Sequence, residues 1–311
     1  MKIRLQKLFV FIPAFLLLVF ANSQLLAQQR AMFTQYMFNG LVINPAYSAM
    51  DEALNVTALA RQQWVGFKGA PNTQTLSMHT PIRQSNTSLG FIFLRDQIGE
   101  VIAENGVLGT VANRVELGNE TFLALGLNAG LSKYVGQYSL AGSTSSFDPV
   151  FLDQNYFRGT MGFGLMLFSP KFYAGFSSPY FINHDFVSDS SAPVNQKAHF
   201  ILQGGYLQDL GDDVKFKPSV LLKYVNGSPL QIDLNAHFLL KETFWIGASW
   251  RSMDSFDILA EMQISPNLQV GYSYDFTTSR LAAVEKGSHE IVLSFRILTR
   301  GSTKLLPKCY F

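Results

Sequence analysis

The residues best suited to nucleophilic or metal chemistry are few: His79, His184, His199, His237, His289 and a single cysteine, Cys309. Ser77 and His79 lie two residues apart, so on a strand they share a face and a hydroxyl approaches an imidazole. A working triad also needs an orienting carboxylate, and no spacing supplies one. Asp233 and His237 share a face in the same way. They read either as a proton-linked or metal-binding pair or as part of a solvated polar lining, and Lys223, Arg251, Asp257, Glu261 and Arg296 read as that lining too. One cysteine forms no intrachain disulfide and no multi-thiolate metal site. Gly162-Phe163-Gly164 and Gly204-Gly205 lack the strand-to-helix setting of a nucleotide loop. They read instead as strand positions where the backbone bends or is closely approached. No catalytic residue, metal site or cofactor is expected.

The elements that carry these residues repeat with period two. From Phe256 to Ser265, Phe256, Ile258, Ala260, Met262 and Ile264 alternate with Asp257, Leu259, Glu261, Gln263 and Ser265. Successive strand side chains point to opposite faces, so one face is apolar and the other largely polar. The same alternation runs through 230–240, 268–277 and 291–297. Weaker versions complete a set of candidate strands at 53–64, 72–82, 87–97, 100–117, 120–136, 156–169, 171–181, 199–210, 215–226, 229–240, 243–252, 255–265, 267–278 and 288–297. That is about 14 strands, many near the roughly ten residues a tilted strand needs to cross a bilayer. Turn signals such as Asn226-Gly227-Ser228-Pro229 and Ser265-Pro266-Asn267 divide them.

Composition agrees with a membrane setting. Only 15% of the chain is charged while 48% is hydrophobic and 14% aromatic; soluble domains carry roughly 25% charged residues. No stretch reaches 18 consecutive apolar residues, so the apolar surface must be presented by alternation rather than by spanning helices. Lys2, Arg4 and Lys7, then an apolar run from Leu8 to Ala21, then small residues up to Ala27, have the order of a secretory signal peptide. Without residues 1–27 the basic count falls from 24 to 24 − 3 = 21 against 22 acidic residues, a net charge near −1 that excludes a nucleic-acid role.

The expected architecture is all-β: a transmembrane antiparallel outer-membrane β-barrel. Residues 1–27 form the signal peptide and residues 28–52 a non-strand segment, free to engage periplasmic partners or to fold back and plug the lumen. The barrel occupies 53–297 and a basic periplasmic tail 298–311. Lipid offers no hydrogen bonds, so the sheet must close on itself. An even strand number puts both chain ends on the periplasmic side. Trp64, Tyr134, Tyr138, Phe168, Tyr224, Trp250 and Tyr272 fall towards strand ends, where a bilayer favours aromatic rings at headgroup level.

Specific motifs cluster behind the leader. Phe33-Thr34-Gln35-Tyr36-Met37 precedes Asn44-Pro45-Ala46-Tyr47, then Arg61, Gln62-Gln63-Trp64 and Gly69-Ala70-Pro71-Asn72-Thr73. Gly90, Asp96, Leu125-Gly126, Tyr272-Ser273-Tyr274-Asp275, Gly287-Ser288-His289-Glu290 and the ending Lys308-Cys309-Tyr310-Phe311 continue the pattern. From about residue 30 onward the chain resembles the PorP/SprF family of type IX secretion system membrane proteins of Bacteroidetes. It departs in having Ser48-Ala49-Met50 where the family often has a glycine, and in a last alternating strand that stops short of Phe311, leaving Phe295 as an alternative assembly signal. The resemblance implies an outer-membrane component that supports secretion or surface attachment of large adhesins, of the gliding-motility type in some members. Its implied partners are other type IX proteins, including a periplasmic peptidoglycan-associated lipoprotein, the secreted adhesin, and outer-membrane lipid. Gln35, Tyr36, Asn44, Pro45, Ala46, Gln63, Trp64 and Pro71 are its motif residues and partner-contact candidates. The alternative is an outer-membrane channel or hydrophobic-solute transporter, and a third reading is a hydrolase using Ser77 and His79.

Overall fold

The computed structural model describes residues 30, 32–141, 153–186 and 196–298. The leader, the tail with Cys309 and Phe311, and most of two loops lie outside them. The strands are β1 (Ala53–Gln62), β2 (Pro71–Pro81), β3 (Thr87–Ile98), β4 (Ile102–Gly118), β5 (Thr121–Gly136), β6 (Gln154–Phe168), β7 (Phe172–Phe186), β8 (His199–Tyr206), β9 (Gln208–Asp209), β10 (Val214–Val225), β11 (Gln231–Leu240), β12 (Phe244–Arg251), β13 (Ser255–Ser265), β14 (Leu268–Thr277) and β15 (Ser288–Leu298). The two residues of β9 continue β8 beyond Leu207, giving a barrel of fourteen staves.

Every neighbouring pair is antiparallel, and β15 returns to β1 from Ala53 opposite Leu298 to Gln62 opposite His289. That pairing removes both sheet edges, as a lipid environment requires. On β13, Phe256, Ile258, Met262 and Ile264 face outward and are exposed, while Asp257, Leu259 and Glu261 are buried inside. A one-residue slip would exchange lipid-facing and interior side chains along the whole strand, so the alternation fixes the register.

The two ends of the barrel differ. At the end where β1 begins and β15 finishes, strands join through short turns such as 119–120 and 241–243. Asn119, Glu120, Lys241 and Glu242 have positive φ, as two-residue hairpin turns require. The opposite end carries the longer connections, 63–70, 137–153, 187–198 and 278–287. Short turns mark the periplasmic end of an outer-membrane barrel and long loops the extracellular end.

Tyr224, Trp250 and Tyr272 are exposed on the outer face, whereas Tyr134 and Phe168 point inward and are buried. Tyr134 stacks on Tyr156 inside, and Phe168 on Phe122. Trp64 lies beyond β1 in the first long loop, with φ 43°. A position near a strand end does not determine a ring's face; parity along the strand does.

One ladder is incomplete. β7 pairs with β8 only from Phe172 opposite Tyr206 to Ser177 opposite Ile201. Just beyond, the β6–β7 register jumps, so that Gly162 alone stands opposite Pro179, Tyr180 and Phe181. Proline has no N–H to give a ladder, and a bulge here turns the strand.

Candidate functional site

The barrel interior is occupied by residues 33–50, which form three short 3-10 turns, Tyr36–Phe38, Gly40–Val42 and Pro45–Ala49. Leu41, Val42 and Ile43 pack with inward residues from around the wall: Leu59, Ile92, Leu108, Ile201, Leu221, Leu259 and Val292. Those residues come from β1, β3, β4, β8, β10, β13 and β15, so the segment is ringed by strands.

Its first part docks through charge. The backbone N–H groups of Thr34 and Gln35 donate to the two carboxylate oxygens of Glu290, at 2.9 and 2.7 Å. Thr34 Oγ1 donates to Asp275 Oδ2 at 2.8 Å and accepts from Arg61 Nη1 at 2.7 Å. Arg61 itself pairs with Asp275 at 2.7 Å and Glu290 at 3.2 Å, all three side chains being 2% exposed or less. Arg251, held by Asp233 at 3.0 Å, donates to the Phe33 carbonyl at 3.0 Å. Asn235 Nδ2 donates to the Tyr36 hydroxyl at 2.7 Å. Removed from water, such charges hold only when paired and hydrogen-bonded.

The second part docks by shape. Asn44 caps the third 3-10 turn, accepting from Ala46 N–H at 3.0 Å, and its Nδ2 donates to the Leu165 carbonyl at 3.0 Å. Beneath it lie Gly126 and Gly164, paired across β5 and β6, and Gly175 on β7. A side chain on Gly126 would strike the backbone of Pro45 and Ala46, and one on Gly164 would strike the Asn44 amide. Ser177 Oγ donates to the Ile43 carbonyl at 2.6 Å. At the end of the segment Asp51 is clasped by Arg296 through two bonds, at 2.7 and 2.8 Å. Burial alone would raise the Asp51 carboxyl, but the Arg296 hydrogen bonds and charge hold it below the usual carboxylate range.

The path has a direction. Arg30 pairs with Glu104 at 3.0 Å, near the start of β4 at the long-loop end, whereas Asp51 meets Arg296 at the short-turn end. The chain therefore descends through the lumen before β1 begins.

The motif residues divide between two places. Gln35, Tyr36, Asn44, Pro45 and Ala46 are buried against the wall of the barrel. Gln63 and Trp64 are half-buried in the 63–70 loop at the long-loop rim, and Pro71 opens β2 there. Motif pieces far apart in sequence meet: Thr34-Gln35 with Arg61, Asp275 and Glu290, and Asn44-Pro45-Ala46 with Gly126. Gly164, read from the sequence as closely approached backbone, and Gly175, which no motif announced, complete the cradle.

The hydrolytic pairing is not made. Ser77 Oγ donates to Asn39 Oδ1 at 2.5 Å, while His79 Nε2 lies 3.1 Å from Asn55 Nδ2. Asp233 and His237 are not joined either: Asp233 holds Arg251, and neither nitrogen of His237 has a hydrogen-bond partner among the described residues. Those same residues contain no metal-binding group of three or more His, Cys, Asp or Glu.

The family model described as type IX secretion system membrane protein PorP/SprF matches residues 25–295. The chain belongs to the PorP/SprF family. As a member it is an outer-membrane component of type IX secretion, in a family of membrane barrels rather than of enzymes. No curated protein matches its sequence. Among solved structures, the PorP/SprF barrel is similar to the CymD monoaromatic hydrocarbon channel, at 13% identity and TM-score 0.50 over 83% of this chain and 91% of that one. A TodX deltaS2S3 mutant channel gives 8% identity and TM-score 0.50 over 84% and 94%. Omp33 of Acinetobacter baumannii gives 11% and 0.47 over 80% and 100%. At these identities the likeness concerns the fold alone.

Proposed function

We propose that this PorP/SprF barrel supports secretion or surface attachment of a large adhesin, of the gliding-motility type, through protein–protein contacts, and that residues 33–50 plug its lumen. The observation that carries the reading is the double docking of the segment, by buried charge at Thr34-Gln35 and by shape at Asn44-Pro45-Ala46. A lumen so filled leaves the rims as working surfaces. Gln63, Trp64 and Pro71 lie at the long-loop rim, where a surface adhesin would be met. The short-turn rim faces a peptidoglycan-associated lipoprotein of the periplasm. Gln35, Tyr36, Asn44, Pro45 and Ala46 then act on partners only by holding the barrel's shape.

Deleting residues 33–47 and measuring both bilayer conductance and adhesin secretion tests this. The expected result is a silent wild type, a conducting deletion and lost adhesin at the cell surface. A wild type that conducts steadily, or a deletion that conducts while secreting normally, would favour the channel or hydrophobic-solute transporter instead.

A further inference from the structure

The incomplete β7–β8 ladder adjoins a small internal cavity of about 40 Å³. Pro179 and Tyr180 of β7 line it on one side of the break, and Ile201 of β8 on the other. Its inner wall is apolar, with Phe33, Val42, Ile43 and Leu94. Lys223 also lines it, 3% exposed, and its Nζ has no hydrogen-bond partner among the described residues. Arg30 completes the rim, its Nη groups bound to Glu104 and Gln196, its guanidinium 4.1 Å from the centre of the Tyr180 ring and only its Nε without a hydrogen-bond partner among the described residues. A buried ammonium without a partner is costly unless something anionic joins it.

The outer side of the same break is aromatic. Phe181 stacks edge-on to Phe163 at 5.3 Å and to Phe200 at 6.2 Å, and Phe176 lies flat against Phe200 at 6.3 Å. Phe181 and Phe176 are exposed to the lipid side. The bulge itself is fixed from within: Asn128 Nδ2 donates to the Pro179 carbonyl at 3.3 Å, and a side chain on Gly162 would collide with that carbonyl. The break is thus a built feature, with the Lys223 ammonium inside, aromatic rings outside and no ladder between.

We infer that the β7–β8 seam is a binding site for an anionic amphiphile, whose carboxylate head meets Lys223 and Arg30 and whose apolar chain leaves through the seam across Phe181 and Phe200 into the membrane. A water-borne anion would not need the aromatic exit, and a neutral hydrocarbon would not need the buried lysine. Only an acid with a long chain uses both. Occupancy adds the missing partner to Lys223 without displacing residues 33–50.

The full chain in neutral detergent, titrated with dansylaminoundecanoic acid and followed by fluorescence, tests the assignment. Its methyl ester serves as the uncharged control. The acid should bind more tightly than the ester, and Lys223→Met should weaken the acid about tenfold, as the loss of one hydrogen bond to a charged group predicts. The ester should be unaffected. Phe181→Ala, on the outer face, should weaken both probes about threefold. Heat-dependent gel mobility establishes that each variant is folded. Equal binding of acid and ester, acid binding indifferent to Lys223→Met, or no binding at all would overturn the proposal. So would displacement of the acid by inorganic phosphate alone, which would assign the pocket to a free anion.

Discussion

The two docks of the luminal segment solve one problem in opposite ways. At Thr34-Gln35 the wall offers Arg61, Asp275 and Glu290, and the fit is one of charge and donors. At Asn44-Pro45-Ala46 the wall offers the absence of side chains at Gly126, Gly164 and Gly175. The first depends chiefly on keeping the charges paired, the second chiefly on leaving the glycine positions bare. A segment held by both is specified twice, by independent physics.

The largest effect on conductance is expected at the shape-fitted dock. Gly126→Leu places a side chain in the volume of the Pro45 and Ala46 backbone, an overpacking worth about 1–3 kcal/mol or more. The segment should leave its seat, and single-channel conductance should rise towards that of the 33–47 deletion. A silent Gly126→Leu barrel would mean that the charged dock holds the segment alone. At that charged dock, Arg61→Ala leaves two buried carboxylates without their cation and should cost about 3–5 kcal/mol, read as a lower temperature in heat-shifted gel mobility. Adding Glu290→Gln to Arg61→Ala should recover part of that loss, which distinguishes stranded charge from lost packing.

Asn44→Ala removes the cap on the third 3-10 turn and should cost about 0.5–2 kcal/mol, visible as faster protease cleavage within residues 33–50. The smallest effect concerns the clasp at Asp51. Its carboxyl is held below its ordinary value, so the stabilisation is fully present above the unfolded value of about 3.9 and is lost as pH falls through the lower folded value. Cleavage in 33–50 should therefore quicken only in acid, and Asp51→Asn should flatten that part of the pH profile.

How much of this was legible depended on whether the physics was local. The strands were, because lipid on one face and interior on the other force a period of two, and β13 and β14 lie where alternation places them. β7 ran on to Phe186, past the expected end near 181, because its far half pairs with β6 alone. Gly162 and Gly164 were legible as closely approached backbone, although not by what: one faces the Pro179 carbonyl, the other Asn44. The dock of Thr34 on Glu290 spans 256 residues of sequence, and no periodicity carries that information. The inward turn of Tyr134 and Phe168 followed from strand parity that aromatic placement alone did not reveal.

Arg61 and Glu290 are direct partners across the β1–β15 pairing, the ladder that makes the sheet a ring. Thr34 and Gln35 bind both edges of that join from within. The luminal segment is thus synthesised before the first stave and completed by the last. Zipping the ring shut and seating the segment therefore draw on the same side chains, and a barrel that closes without it leaves Glu290 with Arg61 but without its two backbone donors.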